Sequence, residues 1–404
     1  MTPSTDRQPC RLSRPGVACS LGDDLETIAD ALFTGRRGLT SSAAFTPQRE
    51  LPLGMVTCAL PDWDDWPPEQ RSRNNRLLAL AMQRLHDTLD TLRESVAPER
   101  IGVVIGTSTS GIGETERAIA EVGREGPLPE TFRYANQELG APAHFVAERI
   151  GAQGPVYALS TACSSSARAL ASARRLLASG TCDAVVAGGA DSLCRLTVNG
   201  FASLEAISTR PCLPFSAQRD GINIGEAAAL FVVTPEAGGI QLSGTGESSD
   251  AYHVSAPRPD GSGAYEAMRQ ALAMGGCAPE AVDYLNLHGT GTRHNDSMEA
   301  KAVAALFATS PPCSSTKALT GHTLGAAGAL EAAFCWLALD RGRLPVHVFD
   351  AVPDPELPLL DYVIPTVTPE HTPRPLQHAL SNSFAFGGNN AALLMTREET
   401  CHAP

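Results

Sequence analysis

The sequence predicts an α/β protein in which helices cover a mostly parallel sheet. Apolar, β-branched runs alternate with helical patterns along most of the chain, an order that is typical of layered α/β folds. Of the 404 residues, 43% are hydrophobic. The 36 glycines and 30 prolines are spread along the chain rather than clustered. These values indicate a compact globular protein with a large core.

The first half of the chain contains four predicted strands. The first ends in the loop "GTSTSG", and the second leads into Cys163 and an alanine-rich helical pattern that ends at Gly180. The four strands are predicted at residues 100–111, 155–162, 182–192 and 228–233.

The pattern restarts after Pro235 and Gly238, and the second half resembles the first. "IGVVIGTSTSG" resembles "VDYLNLHGTGT", and "STACSSSARAL" resembles "LTGHTLGAAGAL". We therefore expect two duplicated halves, with the cysteine in residues 1–238 and two candidate histidines in 239–404. The predicted elements of the second half are strand 240–250, helix 264–276, strand 282–292, helix 297–308, a small-residue helical segment 318–342 and a closing strand pair around 378–395.

Charge and cysteine usage exclude several classes of protein. The net charge of −13 argues against nucleic acid as a partner. The eleven cysteines include no CxxC pair, so neither a disulfide framework nor a zinc site is expected. The N-terminus lacks a continuous apolar segment and no later apolar run approaches 18 residues, so we expect a soluble cytoplasmic protein without membrane attachment.

Cys163 stands where the second predicted strand changes into a helix. The free N–H groups and the dipole of a helix N-terminus favour a thiolate, and small residues on either side leave room for a substrate. This position suits a nucleophile. The alternative, from these residues alone, is a buried cysteine that packs as a small hydrophobic residue.

Two histidines occupy similar places. His288 follows an apolar strand and precedes a Gly/Thr loop, and His322 precedes a small-residue helix, five residues after Lys317. A helix N-terminus lowers the pKa of an imidazole, and a neutral imidazole can donate a hydrogen bond to an oxyanion. The alternative for each is a structural histidine at the end of a strand or helix.

A thiol and two imidazoles together suit one chemistry. The cysteine would hold an acyl group as a thioester, and the histidines would stabilise the enolate that forms when a malonyl group loses CO2. Metal binding is the competing use of Cys and His. It is disfavoured because the three residues come from distant loops without paired spacing.

Four motifs resemble those of the β-ketoacyl-acyl-carrier-protein synthases of the type I/II class, which have the thiolase fold. They are "TACSSS", "HGTGTxxxDxxE" (288–299), "KALTGHTLGAAGALE" (317–331) and "SNSFAFGGNN" (381–390), in the family's order within a match from about residue 15 to 397. The resemblance implies two duplicated halves that form a layered αβαβα core. It also implies an acyltransferase that elongates fatty-acid, polyketide or polyene-like chains.

The resemblance also implies roles for individual residues. Cys163, His288 and His322 would form the catalytic triad, with Lys317 setting His322. Glu299 and Glu331 would support the lysine and the helix packing, Thr290 and Thr292 would hold the pantetheine arm, and the N–H groups of Cys163 and Phe386 would form the oxyanion hole. Phe384 and Phe386 would form the gate, and Phe201 and Ser108 would line the acyl pocket.

Three departures from the family pattern stand near the site. Ser216 replaces an acidic residue, Ala385 replaces a glycine between the gate aromatics, and Asn295 alters the mouth of the pantetheine tunnel. Alanine in the gate is expected to stiffen it or to shift its φ/ψ preference. For the loop that contains Ser108, the alternative is that its hydroxyls cap a helix near residues 111–114.

The predicted partners follow from the chemistry. The resemblance implies no metal or redox cofactor and an obligate acyl carrier protein, with dimerisation through the strand of "VYALST". The second subunit would be another copy or a sister ketosynthase or chain-length factor. We expect the acidic carrier to dock on the densest basic run, Arg71, Arg73 and Arg76; the alternative is a solvated helix face.

Two other functions remain as alternatives. One is a non-catalytic chain-length partner, although such partners usually lack the nucleophile that Cys163 supplies. The other is a CoA-dependent thiolase, although thiolases have a second cysteine near the C-terminus, where this chain has "SFAFGGNN". The mixture of motifs favours a specialised condensing enzyme, with polyene or aryl-polyene chains as candidate products.

Overall fold

The computed structural model describes residues 8–47, 49–122, 126–130, 132–365 and 375–398. Residues 1–7, on which the expectation about the N-terminus partly rests, lie outside the described residues. The strands are β1 (Arg11–Leu12), β2 (Gly16–Ala18), β3 (Thr40–Ser42), β4 (Leu51–Leu53), β5 (Ile101–Gly106), β6 (Val156–Leu159), β7 (Ala184–Asp191), β8 (Ala227–Thr234), β9 (Gly239–Ser249), β10 (Tyr284–Asn286), β11 (Pro312–Ser314), β12 (Asp361–Tyr362), β13 (His378–Ala385) and β14 (Asn389–Glu398).

Helices lie between most of these strands, in the alternation that the sequence predicts. They are α1 (Leu25–Thr34), α2 (Arg73–Gln83), α3 (His86–Ser95), α4 (Ile112–Val122), α5 (Ala141–Ile150), α6 (Ser165–Ala178), α7 (Arg195–Ser203), α8 (Ser262–Gly275), α9 (Arg293–Leu306), α10 (Lys317–Thr320) and α11 (Ala327–Arg341). Among the described residues, no helix combines the length and apolar character needed to cross a bilayer.

The strand pairings repeat between the two parts of the chain. In the first part, β5 lies parallel to β6 and β7, β7 is antiparallel to β8, and β8 is antiparallel to β2. In the second, β10 lies parallel to β11 and β13, β13 is antiparallel to β14, and β14 is antiparallel to β9. The same order of parallel and antiparallel pairs therefore occurs twice, and the sheet is mixed rather than mostly parallel as the sequence predicts.

A short strand joins the two sets into one sheet. β1 is antiparallel to both β8 and β9, and within the described residues the resulting sheet has twelve strands, with β6 at one end and β12 at the other. All four residues of β6 are half-buried. The strand thus presents an edge that is free within the described part of the chain, and such edges are usually covered in native proteins.

Two helices form the middle layer. α6 packs on β5 and β7, α11 packs on β8, β13 and β14, and the two helices contact each other. α2 and α5 cover the outer face of the first strand set, and α8 covers that of the second. The order of layers is therefore αβαβα, as the resemblance implies.

Small residues permit the close approach of α6 and α11. A Cβ at Gly328 would lie 2.6 Å from the backbone nitrogen of Ala167, closer than packed atoms approach. Both helices begin on the same side of the sheet, because each follows an equivalent strand. The N-termini of α6 and α11, and the residues before them, consequently meet in the interior.

Candidate active site

Cys163 lies in a tight turn between β6 and α6. Ala162, directly before it, has a φ of 52°, a left-handed conformation that costs energy for a residue with a Cβ. The turn is held by local hydrogen bonds, including one of 2.9 Å from the Thr161 N–H to the Ser165 hydroxyl. The cysteine side chain is buried. The turn aims the sulfur at the loops of the other half.

His322 meets Cys163 from the loop before α11. Its Nε2 lies 3.0 Å from the cysteine Sγ. Its Nδ1 accepts a hydrogen bond of 3.3 Å from the backbone N–H of Leu324. Because an N–H donates to Nδ1, that nitrogen has no proton, and the neutral ring carries its proton on Nε2. His322 therefore directs an N–H at the sulfur.

His288 follows β10, in the loop that the motif "HGTGT" forms. Its Nδ1 lies 3.3 Å from the Lys317 Nζ, which donates to it. By the same reasoning the proton of His288 is on Nε2. The two imidazoles meet edge to face with 5.3 Å between their centroids. Two N–H donors are thus placed beside one thiol.

Lys317 differs from the sequence expectation in its histidine partner. We expected it to set His322, but its ammonium contacts His288 and forms an ion pair with Glu331, and all three side chains are buried. Glu299 also differs: instead of supporting the lysine, it accepts 2.7 Å hydrogen bonds from the backbone N–H groups of His288 and Gly289. It therefore fixes the loop that carries the histidine.

Burial dominates the ionisation of the site. Burial, and secondarily the charge of Lys317, lower the pKa values of His288 and His322 well below the ordinary range, so both rings are neutral at pH 7. Burial is the largest cause of this neutral state. Burial also raises the pKa of Cys163 to about 12, although the charge of Lys317 and the Phe386 N–H act in the opposite direction. Burial thus opposes the thiolate that the helix N-terminus is expected to favour.

A cavity of about 290 Å³ opens above the three residues. Thr290 and Thr292 line it, with 2.9 Å between their hydroxyl oxygens. Phe201, Phe384 and Phe386 also line it, and the rings of Phe201 and Phe386 lie 5.5 Å apart. The structure thus brings together the residues predicted for the pantetheine arm, the gate and one wall of the acyl pocket.

Ser108 does not line this cavity. Its hydroxyl donates to the Asp191 carboxylate at 2.5 Å, and the hydroxyls of Thr107 and Thr109 donate to the same carboxylate at 2.7 Å. The loop therefore forms neither the wall of the acyl pocket nor a helix cap, which are the two roles that the sequence leaves open. Sequence reasoning missed Asp191, whose one signal is an acidic residue at the end of an otherwise apolar strand.

The predicted basic docking face is not a free surface. Arg71 donates to the backbone carbonyls of Asp64 and Trp66, and Arg76 donates to those of Leu60 and Pro61. Arg73 forms a salt bridge with Glu226, whose side chain is fully buried. All three guanidinium groups therefore make intramolecular contacts, which the solvated helix face does not describe, and docking of a carrier at this run stays a prediction.

The departures from the family pattern are accommodated locally. Ser216 donates to Asp350 at 2.8 Å. Ala385 has a φ of −111°, an extended conformation that any residue adopts, so the alanine causes no backbone strain there. Left-handed conformations occur at Gly387 and Gly388 instead. Asn295 lines the cavity and donates to Asp296 at 3.2 Å.

The triad also has the spacing of a possible metal site. The ligand atoms of Cys163, His288 and His322 all lie within 4.8 Å of one another. The sequence argument against a metal, that these residues come from distant loops, therefore does not hold in the folded chain. The ammonium of Lys317 beside His288 opposes a further positive charge at this point.

Two family profiles match the chain. They are described as the N-terminal domain of beta-ketoacyl synthase, which matches residues 16–237, and the C-terminal domain of beta-ketoacyl synthase, which matches residues 240–348. Nodulation protein E from Rhizobium meliloti is 34% identical over 94% of this chain and 96% of its own length. A 3-oxoacyl-[acyl-carrier-protein] synthase 2 from the same species (strain 1021) is 33% identical over 95% of this chain and 97% of its own.

Solved structures show the same architecture. One chain of a ketosynthase complex with its chain length factor, from Xenorhabdus doucetiae, aligns with a TM-score of 0.89 and 41% identity. The alignment covers 98% of this chain and 100% of the matched one. The ishigamide ketosynthase/chain length factor aligns with a TM-score of 0.86 and 25% identity over 97% of this chain and 100% of the matched one.

Proposed function

Because the chain belongs to the β-ketoacyl synthase family, we propose that its site joins malonyl-carrier to an acyl chain held on Cys163, with loss of CO2. One observation carries this proposal: two neutral imidazoles direct N–H donors at the space beside a buried thiol. A thiol suits acyl transfer, and paired donors suit a developing oxyanion. Acyl transfer is therefore assigned to the cysteine, and stabilisation of the oxyanion is assigned to the two histidines.

In the first half-reaction, the acyl group moves from the carrier's pantetheine sulfur to Cys163. The C–S bond to pantetheine breaks as the bond to Sγ forms, and the proton of the thiol passes to the departing pantetheine sulfur. The thioester oxygen would lie against the N–H groups of Cys163 and Phe386, and the Phe386 N–H already points at the sulfur.

In the second half-reaction, malonyl-carrier loses CO2. The electron pair of the broken C–C bond forms an enolate. The enolate oxygen accepts hydrogen bonds from the Nε2–H groups of His288 and His322. The carbanion then attacks the acyl thioester, and Cys163 leaves as a thiolate that regains a proton. The balance requires no oxidant and no reductant, so no redox cofactor is implied.

Lys317, Glu331 and Glu299 support this step without touching substrate. Lys317 keeps Nδ1 of His288 unprotonated, Glu331 holds Lys317 in place, and Glu299 fixes the backbone of His288. Thr290 and Thr292 would bind the amides of the pantetheine arm through their hydroxyls. Phe384 lies against His288, with 6.1 Å between the rings, at the entrance to the site.

The partners of the proposed reaction are an acyl carrier protein and a second subunit. The exposed edge at β6 is the place for the second subunit, because pairing there would extend the sheet across a two-fold axis. The matched Xenorhabdus structure is a complex with a chain length factor, which favours a sister subunit of that kind. The same match favours a specialised elongation pathway over general fatty-acid synthesis.

The test is a condensation assay with purified protein. Acyl-carrier and radiolabelled malonyl-carrier are incubated with this chain alone and with its sister subunit, and the ketoacyl product and released CO2 are measured. We expect product that depends on Cys163. Product formed from acetyl-CoA without loss of CO2 would indicate a thiolase, and activity that survives Cys163→Ala in a mixed dimer would indicate a non-catalytic partner.

A further inference from the structure

Asp191 is a fully buried carboxylate at the end of β7, outside the triad. A buried carboxylate is stable only where donors replace the water that it has lost. Here its negative charge is close enough to Cys163 to raise the pKa of that thiol. A negative charge at this position disfavours the Cys163 thiolate, so Asp191 does not activate the nucleophile. Its position must be explained by a different role.

The first group of donors to Asp191 comes from the loop after β5. The backbone N–H groups of Ser108 and Thr109 each donate at 2.9 Å, and the Thr107 hydroxyl donates at 2.7 Å. The "GTSTSG" loop therefore folds around the Asp191 carboxylate, and binding this carboxylate is its structural role.

The last donor to Asp191 comes from the opposite half of the chain. The Gly325 N–H donates to Oδ2 at 2.6 Å. Gly325 directly follows Leu324, which has a left-handed φ of 52° and donates its own N–H to Nδ1 of His322. Adjacent peptide groups thus bind Asp191 and His322, so the carboxylate fixes the strained turn that sets the proton of the imidazole.

We propose that Asp191 is a positioning residue that keeps the proton of His322 on Nε2 by anchoring the turn at residues 323–326. The proposal rests on the function proposed above, in which that N–H stabilises the enolate. Without the anchor, Leu324 would relax from its left-handed conformation and release Nδ1. The ring would then populate both tautomers, and the donor beside Cys163 would be lost part of the time.

The principal variant is Asp191→Asn, which preserves shape but turns an N–H2 group toward one of the N–H donors. CO2 release from malonyl-pantetheine is measured in a Cys163→Gln background, which separates decarboxylation from acyl transfer. We expect a loss of about tenfold, less than the full removal of an oxyanion donor. In a background that also contains His322→Ala, the same substitution should change the rate by less than about twofold.

A second variant reaches the same turn from the other side. A Cβ at Gly325 would lie 2.7 Å from Asp191 Oδ2, so Gly325→Ala should separate the turn from the carboxylate without changing any charge. We expect the same loss, again only where His322 is present. The matched control is Asp283→Asn, which alters a buried carboxylate that accepts from the backbone N–H groups of Gln377 and His378. Its decarboxylation rate should be unchanged.

Nitrogen-15 NMR of the imidazoles gives a readout that does not require activity. In Cys163→Gln, we expect the two nitrogen signals of His322 to be those of a single Nε2–H tautomer; in Asp191→Asn, they should move toward each other. Unchanged His322 signals, or equal rate losses with and without His322, would overturn the positioning role. If Cys163→Gln itself released no CO2, the proposed division of roles would fail, while the NMR result would still decide the role of Asp191.

Discussion

The sulfur of Cys163 lies 3.0 Å from the Nε2 of His322, and that nitrogen already carries a proton because the Leu324 N–H occupies Nδ1. His322 is therefore a donor to the sulfur rather than its general base. The same arrangement recurs at His288, where Lys317 occupies Nδ1. The site therefore presents two fixed N–H donors to the space beside the thiol.

Replacing the nucleophile should separate the two half-reactions. Cys163→Gln places an amide where the acylated cysteine would stand, so we expect condensation to be abolished while malonyl decarboxylation is retained or increased. His288→Ala and His322→Ala should each lower decarboxylation by about a hundredfold, because each removes one donor to the enolate. CO2 release and ketoacyl product are measured together. Loss of both activities in a folded Cys163→Gln variant would contradict this division.

Lys317→Ala should act through His288. Removal of the ammonium frees Nδ1 of that ring, so we expect decarboxylation to fall by about tenfold, between the wild type and the histidine variants. The loss should disappear when His288→Ala is already present and persist when His322→Ala is present. If the loss of decarboxylation disappears in the His322→Ala background instead, Lys317 acts on His322, as the sequence suggests.

The pH dependence of activity and stability should run in opposite directions. Burial raises the pKa of Glu331 from 4.5 to about 7, with Lys317 acting against the rise. As pH rises through 7, Glu331 ionises and pairs with Lys317, so decarboxylation should increase. Between the ordinary pKa of 4.5 and the folded pKa of about 7, the folded protein holds a proton that the unfolded chain has lost, so the free energy of unfolding should fall as pH rises.

Glu331→Gln should remove the contribution of that residue to both profiles. Glu299 provides the comparison, because burial also raises its pKa to about 7, but its hydrogen bonds go to the backbone of the His288 loop. Rate–pH curves and urea unfolding at several pH values are measured for both variants. Identical curves for wild type and Glu331→Gln would show that the lysine–glutamate pair does not control the step.

Arg73→Ala should destabilise the fold rather than weaken carrier binding. It leaves the buried carboxylate of Glu226 without its partner, which we expect to cost about 3–5 kcal/mol of unfolding free energy. Arg73→Ala combined with Glu226→Gln should recover part of this loss. Thermal unfolding is measured beside the KM for malonyl-carrier. A raised KM at unchanged stability would instead support docking at this run.

The exposed edge at β6 should be the subunit contact. Ala158→Pro removes a backbone donor from the middle of the strand, so pairing across the edge should weaken. We expect the wild type to scatter as a dimer, with itself or with a sister subunit, and the variant to shift toward monomer at micromolar concentration. Circular dichroism checks that the variant is folded. A wild type that stays monomeric with and without a sister subunit would contradict the prediction.

The sequence predicted those site residues that stand next to a backbone feature. Three site residues stand at the end of a strand or the start of a helix, among small neighbours: Cys163, His288 and His322. The local sequence was therefore enough to predict that they face one cavity. The partner of Lys317 could not, because two histidines were within reach and only packing selects between them. The intramolecular acceptors of Arg71, Arg73 and Arg76 could not be predicted for a related reason: they include Glu226, which is remote in sequence, and carbonyl groups, which carry no sequence signal.

Asp191 illustrates the same limit. Its donors come from residues 107–109 and from Gly325, so no local pattern connects them. Fold-level features were more accessible, since the repeated strand pairings follow from the two similar sequence halves.

The placement of the nucleophile in one half and of its donors in the other has a consequence for protein synthesis. Cys163 leaves the ribosome more than a hundred residues before His288, His322 and Phe386, and domains emerge and fold from the N-terminal side first. While only the first half of the chain is outside the ribosome, neither histidine nor the Phe386 N–H can stand beside the thiol. We therefore expect no condensation by a chain that lacks its second half.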